Sequence, residues 1–244
     1  MGTSITPSGM DVSAAALRYW EQRQNIASNN IANVSTNGFK GEKAFAQLMD
    51  DGASPTVGTA TDLTAGPIGA TGAPLDLAIQ GAGFFVVQTA NGERLTRGGS
   101  MEINAQHQLA DASGNPVLGQ ADASGGTAGP ITIPPGSANL AIDAGGAVTV
   151  NGKQIARLRL DQVAPGTDMQ HDSNGLFIPA TSMTSVPVAQ RTVRQGAIEQ
   201  SNVSSVGSMV DMIAIQRAYA NVQKVLTTMD AAREIATTEI GKPN

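Results

Sequence analysis

The chain has 244 residues, 41% of them hydrophobic but only 3% aromatic, with 28 glycines and no cysteine. Its formal net charge is −5, so it has no basic excess to neutralise phosphates, and nucleic acid is not an expected partner. The lack of cysteine excludes disulfides and thiolate chemistry, and a glycine-rich, aromatic-poor composition suits thin, strand-rich packing with many turns better than a large enzyme core.

Met1–Gly9 is polar, with Pro7 and Gly9 opposing early helix, and is expected to stay unordered before assembly. It has neither a basic n-region nor an apolar h-region, so it does not read as a cleaved secretory signal. No apolar run approaches the roughly 18 to 20 residues that span a bilayer, so direct membrane insertion is not expected. Ser8 or Asp11 can cap a helix that runs to about Asn33. Along it Met10, Leu17 and Ile31 share one heptad position, with the polar Gln24 between them. Trp20, Ala27 and Val34 share the other, after the polar Ser13. Leu17, Trp20, Ile31 and Val34 are expected to be buried.

The helix runs into Ser28-Asn29-Asn30-Ile31-Ala32-Asn33-Val34-Ser35-Thr36-Asn37-Gly38-Phe39-Lys40. Asn and Ser side chains compete for backbone hydrogen bonds, and Asn37-Gly38 is a strong turn signal. Glu42 to Ala73 is rich in Gly, Thr, Ala and Pro, without sustained period after Leu48, and reads as an extended linker.

From Leu75 to about Val188 the pattern is all-β. Phe84-Phe85-Val86-Val87 is a compact apolar run, Asn91-Gly92 a hairpin turn, and Glu93 to Arg97 its returning strand. Val148-Thr149-Val150 and Ala156 to Leu160 flank a second turn at Asn151-Gly152. Ala156, Leu158 and Leu160 alternate with Arg157, Arg159 and Asp161, which predicts one buried and one wet face. Gly125 to Pro130 reads as a flexible turn. Strands between evenly spaced turns suggest a small barrel or sandwich.

The last long stretch, Ser201 to about Thr238, is helical. Met212, Ile215, Tyr219, Val222, Leu226 and Met229 follow at steps of three and four, a heptad seam. Val206, Val210, Ile213 and Ala220 form a second apolar line beside it, wider than a two-stranded zipper needs. Neither terminal helix can bury its apolar face alone, so they should pack on each other and on helices of other chains. The fold class is therefore α+β: terminal helices packed as a coiled-coil-like layer, with an all-β domain inserted between them. The boundaries are 1–36 for the first assembly helix, 37–74 for the linker, 75–190 for the β domain and 191–244 for the second assembly helix.

Chemistry is harder to find. Gly146 to Lys153 has a phosphate-loop outline, but its first Gly is out of register and Gln154 stands where a magnesium-holding Ser or Thr belongs. Gly81 and Gly83 lack the third Gly of a dinucleotide fingerprint and precede a strand. His107, in a polar turn, and His171 stand apart with no other ligand at metal spacing. Asp161, Asp168 and Asp172 have no opposing acid. Asn-Val-Ser occurs at Asn33 and Asn202, both at helix ends where capping accounts for it. No active site, metal or cofactor is expected.

Five separated stretches together resemble bacterial flagellar rod and hook proteins. They are the Asn-rich run with Asn29, Asn30, Asn33, Ser35, Thr36, Gly38 and Phe39; Pro74 to Val87 with Gly81, Gly83 and Phe84; Leu95 to Gly99; Gln195 to Val203 with Ser201, Asn202 and Val203; and Met209 to Tyr219. The resemblance implies a structural subunit of the basal-body rod, non-enzymatic, polymerising through its terminal helices with itself and other rod subunits to transmit torque to the hook. It also implies passage through the flagellar type III export apparatus without a cleaved signal, to the periplasmic rod. Pro74 to Gln80, Gly129 to Gly136, Arg157 to Leu160 and Ser173 to Phe177 resemble the proximal-rod version; the stretch from Glu42 to Ala73 is short for a distal-rod protein, and the added outer domain of a hook protein is not expected in a chain of this length. Gln216-Arg217-Ala218-Tyr219 departs toward the distal form. A β-rich carbohydrate-binding or hydrolytic protein with helical ends is the reading from another class. The want of an aromatic platform, with the single Trp on a helix, weighs against it.

Overall fold

The computed structural model describes residues 9–47, 56–121, 128–137, 139–164, 167, 169–179 and 183–240. Ser8, one of the two proposed caps, lies outside them. In chain order the elements are α1 (Gly9–Ala32), β1 (Glu42–Gln47), β2 (Thr56–Thr61), β3 (Ile68–Ala70), β4 (Leu77–Ile79), β5 (Phe84–Thr89), β6 (Gly92–Thr96), β7 (Met101–Ile103), β8 (Leu109–Asp111) and β9 (Leu118–Gly119). There follow β10 (Gly129–Pro130), β11 (Leu140–Ile142), β12 (Ala147–Val150), β13 (Lys153–Arg157), β14 (Leu160–Val163), β15 (Met183–Ser185), β16 (Val193–Gln195), β17 (Ala197–Glu199) and α2 (Ser205–Ile240). Terminal helices around many strands make the chain α+β.

The chain divides into two units. The helical unit comprises Met1–Ala32, Glu42–Ala60 and Ser204–Asn244. Its helices pack on each other and run antiparallel: Tyr219 donates its hydroxyl to Glu21 Oε1 at 3.1 Å, while Arg233, further along α2, reaches the sulfur of Met10 near the start of α1. Ser204 Oγ accepts from Gly207 N at 3.2 Å, satisfying one of the open amides at the start of α2. The β1–β2 ribbon is joined to α1 by a reciprocal pair, Asn30 Nδ2 donating to Glu42 O at 2.9 Å and Glu42 N to Asn30 Oδ1 at 3.0 Å. One side-chain amide thus imitates a strand neighbour.

The β unit comprises Asn33–Gly41 and Thr61–Val203. Its antiparallel sheets are short. One has the order β15-β14-β5-β6 and another β11-β12-β13, while β16 pairs with β4, β17 with β3, β7 with β8 and β10 with β9. β5 sits between two apolar clusters: Phe85 and Val87 face one, with Leu77, Leu109, Val148, Leu158 and Leu160, and Phe84 and Val86 face the other, with Leu95 and Phe177. Burial on both faces accounts for four apolar residues in succession.

Several sequence expectations need correction. The stretch read as an extended linker, 37–74, carries β1, β2 and β3. Two strands precede α2 inside the segment 191–244 assigned to the second assembly helix, because Val193, Ala197 and Glu199 point inward at period two and pair with Ile79, Ala70 and Ile68. α2 begins at Ser205, four residues after the expected start. The arm from Ala156 to Leu160 is divided between two sheets, and Asp161, expected on the wet face, is buried beside Arg159, whose guanidinium lies 2.7 Å from its carboxylate. Gly129 and Pro130, expected in a flexible turn, pair with Gly119 and Leu118; the preceding 122–127 lie outside the described residues.

Candidate functional site

Two features of the structure draw the sequence motifs together. The first is the helical unit. Of the C-terminal seam, Ile215 is 2% exposed, Met212, Tyr219, Val222 and Leu226 are half-buried, and Met229 is exposed. The hydrogen bond to Glu21 pushes the Tyr219 phenol above its ordinary value. On α1 the buried residues are Ala15, Ile26 and Ala27, whereas Leu17, Trp20 and Ile31 are only half-buried, as is Val34 in the turn beyond the helix. Trp20 stacks edge-on with Tyr19 at 5.2 Å, and the Arg23 guanidinium lies over both rings. One partner helix can cover only one side of another, so the expected full burial is not reached within a single chain. The second line remains open: Val206 is 72%, Val210 61% and Ile213 51% exposed, with Met209 and Val225 also exposed alongside. These large apolar side chains are left in water along α2.

The second feature is a charged cluster inside the β unit. Glu199 on β17 is fully buried, and three donors converge on its carboxylate: Lys40 Nζ at 2.6 Å, Arg97 at 2.9 Å and the Gly66 amide at 2.8 Å. Lys40, equally buried, also donates to Thr64 O at 2.7 Å. Arg97 donates to Ile79 O at 3.1 Å and Gly81 O at 2.6 Å, and lies over the Phe84 ring at 5.1 Å. Burial pulls the Lys40 ammonium below its ordinary value, against the opposing effect of Glu199, and lowers Arg97 likewise. Two cations around one anion leave a buried net positive charge, so the carboxylate is the member the cluster cannot spare.

Most of the motif residues lie on or beside this cluster. Gly38 has φ +69° and donates its amide to Glu199 O at 2.7 Å; a Cβ there would stand 2.2 Å from the Arg97 carbonyl carbon, so only glycine fits. Phe39 is buried and its carbonyl accepts from Asn202 N at 3.3 Å. Asn202 Oδ1 accepts from Gly41 N at 2.8 Å while its Nδ2 donates to Asp62 O at 2.7 Å. Asn37 donates to Ser100 Oγ at 3.1 Å, Thr36 Oγ1 to Asn33 Oδ1 at 3.2 Å, and Ser201 Oγ accepts from Val203 N at 3.2 Å. Gly83, at φ +117°, leads into the buried Phe84. Asn29 and Ser35 are exposed. The capping role read for Asn33 and Asn202 is thus partly replaced: Asn202 ties three strand-flanking segments together.

Sequence reasoning quoted Lys40, Arg97 and Glu199 within its motifs but singled out none of them. The signal was available, since each is a charge set among Gly and apolar residues, yet nothing in one dimension says that positions 40, 97 and 199 meet. A nearby cleft of about 190 Å³ is lined by Thr36, Asn37, Thr96, Ser100, Asp111 and Asn174 among others. Its Asp111 carboxylate is occupied by the Ser113 and Asn115 amides. Among the described residues no group of His, Asp and Glu has metal-binding geometry, and no helix is long and apolar enough to cross a membrane.

Three family models match the chain in order: flagella basal body rod protein over residues 10–40, flagellar hook protein FlgE/F/G D1 domain over 78–150, and flagellar basal body rod FlgEFG protein C-terminal over 194–238. The flagellar basal-body rod protein FlgF of Caulobacter vibrioides is 34% identical, covering 90% of this chain and 92% of its own. FlgF of Rhizobium meliloti is 31% identical over 96% and 98%, and the rod protein FlgG of Buchnera aphidicola subsp. Schizaphis graminum 30% over 90% and 94%. The chain belongs to the flagellar basal-body rod protein family.

Proposed function

We propose that the protein is a structural subunit of the bacterial flagellar basal-body rod that polymerises through α1 and α2, in the proximal rather than the distal part of the rod. The observation that carries this reading is the row Val206, Val210 and Ile213, left exposed on a helix whose other face already meets α1. A second layer of helices from neighbouring copies and other rod subunits covers that row, extending the pair into a coiled-coil-like wall. Leu17, Trp20, Ile31, Val34, Met212, Ile215, Tyr219, Val222, Leu226 and Met229 form or flank this interface. The Asn-, Gly- and Ser-containing motifs fix the β unit, a small barrel or sandwich, as a rigid outer body. Torque then passes through packed helices, and the protein works without catalysis or cofactor. The proximal assignment is supported by FlgF relatives at 34% and 31% identity against 30% for FlgG. Export through the type III apparatus to a periplasmic rod completes the reading.

Ile213→Glu tests it. In the isolated chain the side chain is half in water, so folding stability should shift by no more than about 0.5 kcal/mol. In the rod the carboxylate is buried without a partner, which costs several kcal/mol at each contact. Cells carrying the variant should make folded subunit, yet lack complete basal bodies and not swim. Normal swimming would refute the interface.

A further inference from the structure

The sequence contains four Asn-Gly pairs, at Asn37, Asn91, Asn151 and Asn174, and the structure places them in four different settings. In such a pair the backbone nitrogen of the glycine, unshielded by any side chain, can attack the asparagine side-chain carbonyl carbon. The Gly N–Cγ bond forms, the bond from Cγ to the amide nitrogen breaks, the glycine N–H proton passes by way of solvent to that nitrogen, which leaves as ammonia, and water then opens the cyclic imide to aspartate or isoaspartate. The reaction needs no oxidant or cofactor. It does need a glycine nitrogen free of hydrogen bonds and an asparagine free to turn.

At Asn37 both requirements fail: its side chain is held by Ser100, and Gly38 N donates to Glu199 O at 2.7 Å. At Asn91 the following Gly92 opens β6, paired with Thr89 across the hairpin. At Asn174, itself at φ +60°, the loop Ser173–Gly175 is closed by Asp172 N donating to Leu176 O at 2.8 Å, and Gly175 is half-buried in front of the buried Leu176. Asn151 and Gly152 instead form the two-residue loop between β12 and β13, beyond the Val150–Lys153 pair. Asn151, Gly152 and Lys153 are all exposed. The Gly152 amide donates no hydrogen bond among the described residues, and its surroundings are open, since a Cβ there would meet nothing within 4 Å.

We propose that Asn151 is a site of spontaneous deamidation, converting to a mixture of aspartate and isoaspartate ahead of the other three Asn-Gly pairs. Each event adds one negative charge to a chain already at −5. The isoaspartyl product also inserts a methylene into the backbone of a two-residue loop. Val148 and Val150, both in the core, sit directly behind that loop, so the modification loosens one edge of the three-stranded sheet and records the age of the subunit.

The test is to hold the folded full-length chain in mildly alkaline buffer, sample it over days, and map peptides by mass spectrometry, with isoaspartate read by enzymatic methyl acceptance. The Asn151 peptide should convert about tenfold or more faster than the Asn37 peptide, because attack at Gly38 must first break a buried hydrogen bond. In denaturant the four pairs should converge to similar rates, and Asn151→Gln should remove the methyl-accepting signal from the folded chain. Conversion at Asn37, Asn91 or Asn174 that matches or outpaces Asn151 in the folded chain would overturn the assignment. So would an Asn151 peptide unchanged after the denatured chain has converted.

Discussion

Replacing Glu199 by Gln keeps the shape of the side chain and removes the one negative charge in the buried cluster. Gln can still accept from the Gly66 amide, but its own NH₂ then confronts a donor on Lys40 or Arg97, each within 3 Å of the carboxylate in the native chain. Two buried cations lose the carboxylate they share, and removing one member of a buried ion pair costs about 3–5 kcal/mol. Lys40→Met should cost less, about 2 kcal/mol, because Glu199 retains Arg97 and Gly66, and the lowered value of Lys40 shows that its burial is not fully repaid. For a unit of this size the Glu199→Gln loss corresponds to a fall in melting temperature of about 6–20 °C. The assay is guanidinium unfolding followed by circular dichroism, with amide exchange at Val86 and Leu95 reporting the β unit specifically. The two substitutions together should cost less than their sum, since they share one interaction. Equal and additive losses below about 1 kcal/mol would refute the reasoning, and would mean that packing rather than charge holds the three motifs together.

Gly38→Ala should destabilise the β unit by about 3 kcal/mol or more, since it adds strain at positive φ to a clash with backbone atoms of Arg97 and Gly98; thermal unfolding close to that of the unaltered chain would show that the backbone yields there. Lys40 also gives a pH dependence. Its folded value lies below the ordinary 10.5, so the unfolded chain binds more protons between the two values and stability rises with pH across that interval. The contribution is fully present above 10.5 and is lost as pH falls through the lowered value. Unfolding free energies measured through the alkaline range should climb more steeply for the unaltered chain than for Lys40→Met, and parallel curves would contradict the assignment.

The sequence alone determined the elements whose signal is local. Helical periodicity placed α1 and α2, since apolar residues at steps of three and four admit one helix face. Asn151-Gly152 placed one hairpin loop, and Asn91-Gly92 announced another one residue late, since the loop is Ala90-Asn91 and Gly92 already pairs with Thr89. The motif order pointed to the rod family. The same spacing singled out Met212, Ile215, Tyr219, Val222 and Leu226, of which Ile215 is buried and the rest half-buried. The tertiary structure alone decided what depends on distant segments meeting. β16 and β17 are three-residue strands with partners more than a hundred residues away, at Ile79, Ala78, Leu77, Ala70, Gly69 and Ile68, and no local pattern announces such pairings. Asp161 reads as a solvent-facing charge until β14 is seen between β5 and β15, where Asp161 pairs with Phe84 and Ser185 and is buried. Lys40, Arg97 and Glu199 are ordinary charges along the chain. They become a buried cluster because the β unit closes its two ends over 159 residues of sequence, and a charge left out of water there must find its opposite within about 3 Å.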